Sequence, residues 1–537
     1  MLSMRLKAQN SRLIPRLAWI ANVERRSGIV TLLHGPSVEV RGNFFIEGVW
    51  NGPFTVGGFG DTDCVFGTGG IVTNESIRFV PSASTTDSLF YDQNKGRLTV
   101  SNSLPLLLAS IGDRLDPHCP EYPAILESVM EGIDDYRRTI PTEKGKVRRQ
   151  LYRTLNVTPD NIWESEKRMP PPFRCYDEYR NYLCDNYELI AKNARDRARS
   201  EPLEIWSSQS RGYDSPAVNA IAKSYGIDKV FTVTKSKSTL YLAHKEDGSE
   251  PNDDGGEICD ALGLKCIRLN RHAYREEFDH EELYYCASHH NQDVNLKDIS
   301  KHVSNVGVLL TGMHGGIWST KGTIGEREFV DTQLRSGDIG GHGRSEIRLV
   351  VGFIHLPLPF IGERRLPDIV KITESAEMEP WRLGTSYDRP IPRRIAEEAG
   401  IPRRLFGQSK MGAVVIFCRP AVPYGRELRA QFFSYLAHEN LLPRYKAWIW
   451  PLIRGINSML MVKCERRYPL IHYAERVISK LRGRKFLFRL WWMHLDGALF
   501  CYCVNRRAKT YSETLSLIQS SDIPTGPTVL QSGSRVP

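Results

Sequence analysis

The stretch Leu203-Glu204-Ile205-Trp206-Ser207-Ser208-Gln209-Ser210-Arg211-Gly212-Tyr213-Asp214-Ser215-Pro216-Ala217-Val218-Asn219-Ala220-Ile221-Ala222-Lys223 changes pattern twice. Its first part is an apolar run and reads as a buried strand. Ser210–Ser215 is a tight loop of mostly small residues. From Ser215 the pattern is helical, with Ser215 suited to cap the helix and Pro216 suited to its first position. The apolar face is Ala217, Val218, Ile221, Ala222 and Tyr225, and Gly226 fits the exit. A strand, a small loop and a helix start point backbone N–H groups at one spot, where the helix dipole adds positive potential. A phosphate or pyrophosphate is the expected guest. Arg211 stands where such a loop prefers glycine.

The pattern repeats outward. Lys229–Thr234 reads as a strand, Gly256–Leu262 as a helix ended by Gly263, Lys265–Leu269 as a strand, and Val306–Thr311 as a buried strand ending at Gly312. Alternation of this kind predicts an α/β fold, a parallel sheet with helices on both faces. Ligands of such sheets bind beyond the carboxyl ends of strands. The Ser210 loop, Thr234–Thr239 and Gly312–Gly316 all fall there.

Residues 1–165 read as mainly β, with strands at Ile29–Leu33, Val38–Val40 and Gly96–Val100 and glycines clustered between Gly57 and Gly70. Ser101-Asn102-Ser103 is placed to cap a helix Leu104–Ile111, with Pro105 in its first turn. Met1–Arg26 is basic and nearly free of acids, which fits a transit peptide or a first strand. Lys167–Pro172 is a stiff proline connector. Tyr176–Ala198 follows as a charged amphipathic helix. The expected domains are 1–165, 166–415 and a helical extension 416–519, with a polar tail at 520–537 expected to be disordered. The extension is aromatic and basic, with helical periodicity in Arg426–Leu441 and Ala474–Arg484, and is expected to cap the parallel-sheet domain.

With 537 residues, 41% hydrophobic and 25% charged, the chain is neither fibrous nor disordered and holds two or three cores. The net charge of +10 permits an anionic partner. Its basic runs are scattered and interleaved with acids, so solvated faces are favoured over a nucleic-acid track. Eleven cysteines without a Cys-x-x-Cys pair read as reduced thiols in a cytoplasmic protein. No apolar run reaches the ~18 residues of a membrane span.

Taken together, Ser210–Ser215, Leu309–Gly316, Phe353–Gly362 and Asp388–Pro402 followed by Leu405–Lys410 resemble, in that order, the synthetase half of asparagine synthetase and its relatives, the β-lactam- and lasso-peptide-forming synthetases. The resemblance covers about residues 175–415. It implies an adenine-nucleotide α-hydrolase-like sheet whose Ser-Gly-Gly-x-Asp-Ser pyrophosphate loop (PP-loop) is matched here except at Arg211. Residues 1–165 resemble, more weakly, the glutaminase-type domain of that architecture. Glutamine hydrolysis there needs a cysteine at the mature N-terminus. Here the chain starts Met1-Leu2-Ser3 and the first cysteine is Cys64, read as a buried structural thiol.

The resemblance implies an ATP-dependent amide ligase that activates a carboxylate as an acyl-adenylate and passes it to a preformed amine. ATP and Mg²⁺ are the implied cofactors, small-molecule or peptide carboxylates and amines the implied substrates, and a homodimer is compatible with it. Ser210, Arg211, Gly212, Tyr213, Asp214 and Ser215, with Gly312, His314 and Gly315, would hold the nucleotide. Asp214 would hold Mg²⁺, or serve as a turn residue. Lys410 would stabilise charge on the α-phosphate and the tetrahedral intermediate, or be an ordinary surface lysine. His355 would act as base, or be a hydrogen-bonded core residue. His314 would touch phosphate or fill its loop. Arg211, Gly316 in place of an acid, and Gly362 in place of the Asp of Pro-Phe-Leu-Asp all depart from the family pattern. They leave open a non-catalytic member that binds nucleotide or a protein partner. A tRNA-modifying ATP pyrophosphatase is a third reading.

Overall fold

The computed structural model describes residues 3–94, 96–234, 252–270, 273, 279–286, 292–320, 344–385, 387–408, 422–441, 477–478, 480–483 and 495–520. The N-terminal part is built from two mainly antiparallel sheets. One runs in the order β1 (Arg5–Asn10), β3 (Ile29–His34), β2 (Trp19–Glu24), β9 (Arg97–Ser101), β8 (Leu89–Asn94), β11 (Gly145–Gln150), β10 (Thr139–Thr142). The other runs β13 (Ile162–Ser165), β12 (Thr154–Val157), β7 (Ile77–Val80), β6 (Val65–Val72), β5 (Phe44–Trp50), β4 (Glu39–Arg41). The basic N-terminal stretch is thus strand, at β1 and β2.

Every residue of β5 is buried, so that strand faces apolar surroundings on both sides. Successive side chains of a strand point to opposite faces. Phe45 joins Trp19, Phe79 and Val100 between the two sheets, with the Trp19 and Phe45 rings 5.0 Å apart, edge to face. Phe44 and Ile46 point the other way, into a core shared with the second half of the chain.

That half begins at α3 (Tyr176–Ala194), after α1 (Leu104–Ile111) and α2 (Tyr122–Glu127) of the first. Its five-stranded sheet is all parallel, in the order β16 (Cys266–Leu269), β15 (Lys229–Val233), β14 (Glu204–Gln209), β17 (Gly307–Thr311), β18 (Phe353–Pro357). On one face Ile205, Val308 and Leu310 pack with α3 and with α4 (Asp214–Ala222). On the other, Trp206, Leu309 and Phe353 pack with Ile299 of the 3-10 helix Gln292–Lys301. The fold is therefore mixed α/β: mainly β sheets first, then a parallel sheet between helical layers. Among the described residues no helix is long and apolar enough to cross a membrane.

The two halves meet around one buried ion cluster. Arg348, in the short helix α6 (Ile347–Val351) that follows α5 (Gly256–Leu262), reaches back to β5. Its Nη1 and Nη2 lie 2.7 and 2.9 Å from the carboxylate oxygens of Glu47, and its Nε lies 2.7 Å from Asp87. All three side chains are at most 2% exposed. Glu47 also accepts from the Thr68 amide and hydroxyl at 3.0 and 2.7 Å. Burial, against the pull of Arg348, holds the Asp87 carboxyl above its ordinary range.

The proline connector is less superficial than its composition predicts. Lys167 is 2% exposed, with Nζ 5.7 Å from the centre of the Tyr152 ring. Burial, with Arg78 adding to it, pushes its ammonium down to about 7 from 10.5. A lysine whose folded pKa lies below its unfolded one costs stability at low pH, and the cost is relieved as pH rises through that window. Lys167→Met is expected to stabilise the fold by on the order of 1–4 kcal/mol below neutral pH. Thermal melts should show the gain shrinking as the pH approaches 10.5. A gain equal at both ends would assign it to packing alone.

The last described helix corrects the expected position of the C-terminal cap. After α7 (Leu366–Glu374), α8 (Pro390–Glu398) and α9 (Arg426–His438), the long helix α10 (Leu495–Ser520) lies mainly against the N-terminal part. Leu499, Phe500 and Cys503 pack with Leu104, Leu107 and Ile125 of α1 and α2. Asn505 brackets Leu115, accepting from its amide at 2.8 Å and donating to its carbonyl at 2.9 Å. The seven-stranded sheet needs an apolar cover on its outer face, and α10 completes it with α1 and α2. The expected tail beyond Ser520 and most of the helix read at Ala474–Arg484 lie outside the described residues.

Candidate functional site at the strand-order reversal

Counted from β14, the parallel strands stand third, second, first, fourth, fifth across the sheet. The chain moves outward from β14 to β16 and then returns to β17 on the other side of β14. The connections leaving β14 and β17 therefore run to opposite sides of the sheet, and the crevice at such a switch point is where sheets of this type hold ligands. Those two loops are Ser210–Ser215 and Gly312–Gly316.

Backbone proximity is what the glycines provide. A Cβ on Gly312 would sit 2.6 Å from Asp214 Cβ and 2.9 Å from the Ser215 nitrogen, and one on Gly315 would sit 2.3 Å from Asp214 Cγ. Any side chain at either position would push the loops apart. Gly316, by contrast, faces open space.

The first loop is held internally. Ser215 Oγ accepts from the Ser210 amide at 2.9 Å and lies 2.9 Å from Ser210 Oγ. Ser215 therefore does not cap α4, which starts one residue earlier with Tyr213 at its N-cap and no side-chain cap bond. The first-turn amides of α4 have no partners inside the helix. The Gly212 amide donates to Ser210 Oγ at 3.3 Å, and the Arg211 amide donates to Asp253 Oδ1 at 2.8 Å. Asn219, fully buried, ties α4 to β14 through the Ser208 carbonyl and Gln209 Oε1 at 3.2 and 2.6 Å.

Arg211 does not fill the loop. Its Nε donates to the Leu405 carbonyl at 3.2 Å, its Nη1 lies 3.9 Å from Glu257, and its own carbonyl accepts from the Gly407 amide at 2.8 Å. Tyr213 is fully buried, ring to ring with Tyr387 at 4.8 Å, and accepts from Arg393. Asp214 has both carboxylate oxygens engaged by Arg389 Nη1, while Arg389 Nε donates to Ser319 Oγ at 3.1 Å. Burial opposes the charge on Arg389, but Asp214 outweighs it and raises the guanidinium above its ordinary value. The segment read at Asp388–Lys410 thus closes on the loop through Arg389, Arg393, Leu405 and Gly407, with Tyr387 just before it. Lys410 itself lies outside the described residues.

In the second loop His314 adopts φ +69° and donates from Nε2 to Glu363 Oε1 at 3.1 Å, with its ring stacked 4.4 Å from Phe360. Gly362 is at φ +82°, and a Cβ there would meet the Phe173 ring at 3.2 Å. An aspartate at Gly362 would be strained by the positive φ and crowded by Phe173, and the carboxylate beside the loop comes from Glu363. His355 is 1% exposed in β18. Its Nε2 lies 2.9 Å from Thr311 Oγ1 and 2.8 Å from Arg344 Nη1. A guanidinium only donates, so Nε2 is the acceptor and the ring is held as a core hydrogen-bonding group at the root of the second loop.

Glu363, Tyr387, Arg389 and Asp253 complete the site without having been singled out in sequence. Their partners lie far along the chain, and a lone charge or ring carries no local signature. Among the described residues no group of three or more His, Cys, Asp or Glu side chains is placed to hold a metal ion. Cys64 is fully buried, and burial, with Asp63 adding to it, pushes its thiol well above the ordinary range.

These features define a mixed α/β chain whose parallel sheet has a strand-order reversal, preceded by a β-rich part. No protein-family model matches the chain, and no curated protein matches it. Among solved structures, glutamine phosphoribosylpyrophosphate amidotransferase from B. subtilis, complexed with ADP and GMP, aligns over 66% of this chain and 66% of its own. The identity is 11% and the TM-score 0.15, too low to carry an argument about fold or function.

Proposed function

We propose that the protein is an ATP-dependent, AMP-forming amide ligase of the asparagine synthetase type, one that joins a carboxylate to a preformed amine. The observation that carries this reading is the meeting of three segments at one point. The Ser210 loop, the Gly312 loop and the 387–407 segment interlock around the first turn of α4. The resemblance placed all three at a nucleotide. In the proposed reaction a carboxylate oxygen attacks the α-phosphorus and pyrophosphate leaves. The amine then attacks the acyl carbon and AMP leaves. The α4 amides and Arg211 bind and orient the phosphates. Lys410, three positions beyond Gly407 in sequence, supplies charge to the transition state. The buried, poorly ionised thiol of Cys64 supports a chain that does not hydrolyse glutamine.

The test is pyrophosphate release from ATP on challenge with a panel of carboxylates. Lys410→Ala should lower turnover by about 10²-fold or more with little change in melting temperature. Full turnover in that variant would remove Lys410 from the chemistry.

A second reading, a non-catalytic nucleotide-binding member, is favoured by one observation. Asp253 already occupies the Arg211 amide, where a phosphate oxygen would bind. Nucleotide binding without pyrophosphate release on any carboxylate would support it over the first.

A further inference from the structure

The resemblance calls for Mg²⁺ on Asp214, and among the described residues the side chains around it do not fit that ion. A magnesium ion beside nucleotide phosphates is held through one or two protein carboxylates. Asp214 turns both oxygens to one guanidinium nitrogen, Arg389 Nη1. Glu363 is joined to His314, and Asp253 Oδ1 to the Arg211 amide. The second loop carries Gly316, with open space around it, where an acid would complete a metal site. Two guanidinium groups, Arg211 and Arg389, stand at the crevice instead.

Arg389 is placed for this role by the fold. It precedes Pro390 at the start of α8, is 6% exposed, and is held by Ser319 on one side and Asp214 on the other. Nε and Nη1 are committed to those partners. A phosphate would be met by the N–H groups of Nη2. A guanidinium is always charged and binds phosphate through directed N–H groups. It can neutralise a phosphate oxygen from the place a divalent ion would take. Because Arg389 also cancels the charge of Asp214, the carboxylate next to the phosphates no longer repels them.

We infer that this crevice takes its polyphosphate ligand without a divalent cation, Arg389 standing in for the metal; the inference rests on the nucleotide reading above. The geometry also makes the dependence reversible: removing the guanidinium frees Asp214 for a metal ion.

Calorimetry on the full chain tests it, with an ATP analogue that cannot be cleaved at the α–β bridge, once in EDTA and once in excess Mg²⁺. The expected dissociation constants agree within about threefold. Binding weaker by about tenfold or more in EDTA overturns the metal-free site but leaves the nucleotide reading intact. No binding in either buffer by a folded protein overturns the nucleotide reading, and this inference with it. In Arg389→Ala, shown to be folded by circular dichroism, binding should fall by about 10²-fold in EDTA and recover in part with Mg²⁺. Unchanged binding in EDTA would overturn the role of Arg389. Arg389→Lys keeps the charge and should keep metal independence at reduced affinity, whereas a gain of Mg²⁺ dependence there would count against the stand-in. If neither variant folds, the comparison of the two buffers on the native chain still decides the question.

Discussion

Arg348→Met should cost the fold about 3–5 kcal/mol, the penalty of stripping the counter-ion from a buried ion cluster. Glu47 and Asp87 would remain in the core, at 2% exposure or less, without the guanidinium that bonds both, and among the described residues only Arg344 would act on Asp87. Domains are stable by only about 5–15 kcal/mol, so the variant would be marginal. The loss would fall on both halves at once, since Arg348 belongs to α6 and Glu47 to β5 of the N-terminal sheet. Urea denaturation checks the size, and tryptophan fluorescence with far-ultraviolet dichroism checks whether the two halves still unfold together. Adding Glu47→Gln and Asp87→Asn should recover much of the loss, because no charge is then left stranded. A cost below about 1 kcal/mol for the single change would mean the cluster is hydrated in solution.

Gly315→Ala carries the second large effect, this time on the crevice. Its new methyl group would lie 2.3 Å from Asp214 Cγ. One of the two loops must move, and overpacking of this kind costs about 1–3 kcal/mol of stability. The functional cost is greater. A displacement of about 1 Å in a positioning loop is enough for about a 10²-fold loss, here expected in affinity for the ATP analogue. Gly316→Ala is the control. Open space surrounds Gly316, so affinity and stability should stay close to those of the native chain. If the two alanine variants behave alike, the close approach of the loops is not what shapes the site.

Local rules made helix starts and ends legible in both halves. Ser103 caps α1 by accepting from the Leu106 amide, as Ser101–Ser103 before Pro105 implied, and α5 runs from Gly256 to Leu262 and ends at Gly263 as read. Turn and cap residues act within one turn of backbone, so their signal sits in adjacent letters. The helix after β14 was legible too, but its N-cap is Tyr213, two residues before the expected Ser215. Ser215 satisfies the loop rather than the helix, and both uses of a serine look the same in sequence. What was not legible is long-range. The pairing of Asp214 with Arg389 spans 175 residues, and that of His314 with Glu363 spans 49. Gly362 read as a lost acid, yet its positive φ and the Phe173 ring favour glycine there, with the carboxylate supplied by Glu363. Lys167 opens the proline connector, and its burial against Tyr152 depends on residues outside that segment.

The position of α10 bears on how the chain is made. Leu115 waits for Asn505, 390 residues later, to satisfy its backbone. At ordinary synthesis rates that delay is about 20–80 s. Through it, the outer faces of α1 and α2 remain without the helix that buries Leu104, Leu107 and Ile125. The first part to leave the ribosome is thus among the last to be sealed, and for that interval it is a client for whatever shields apolar surface on nascent chains.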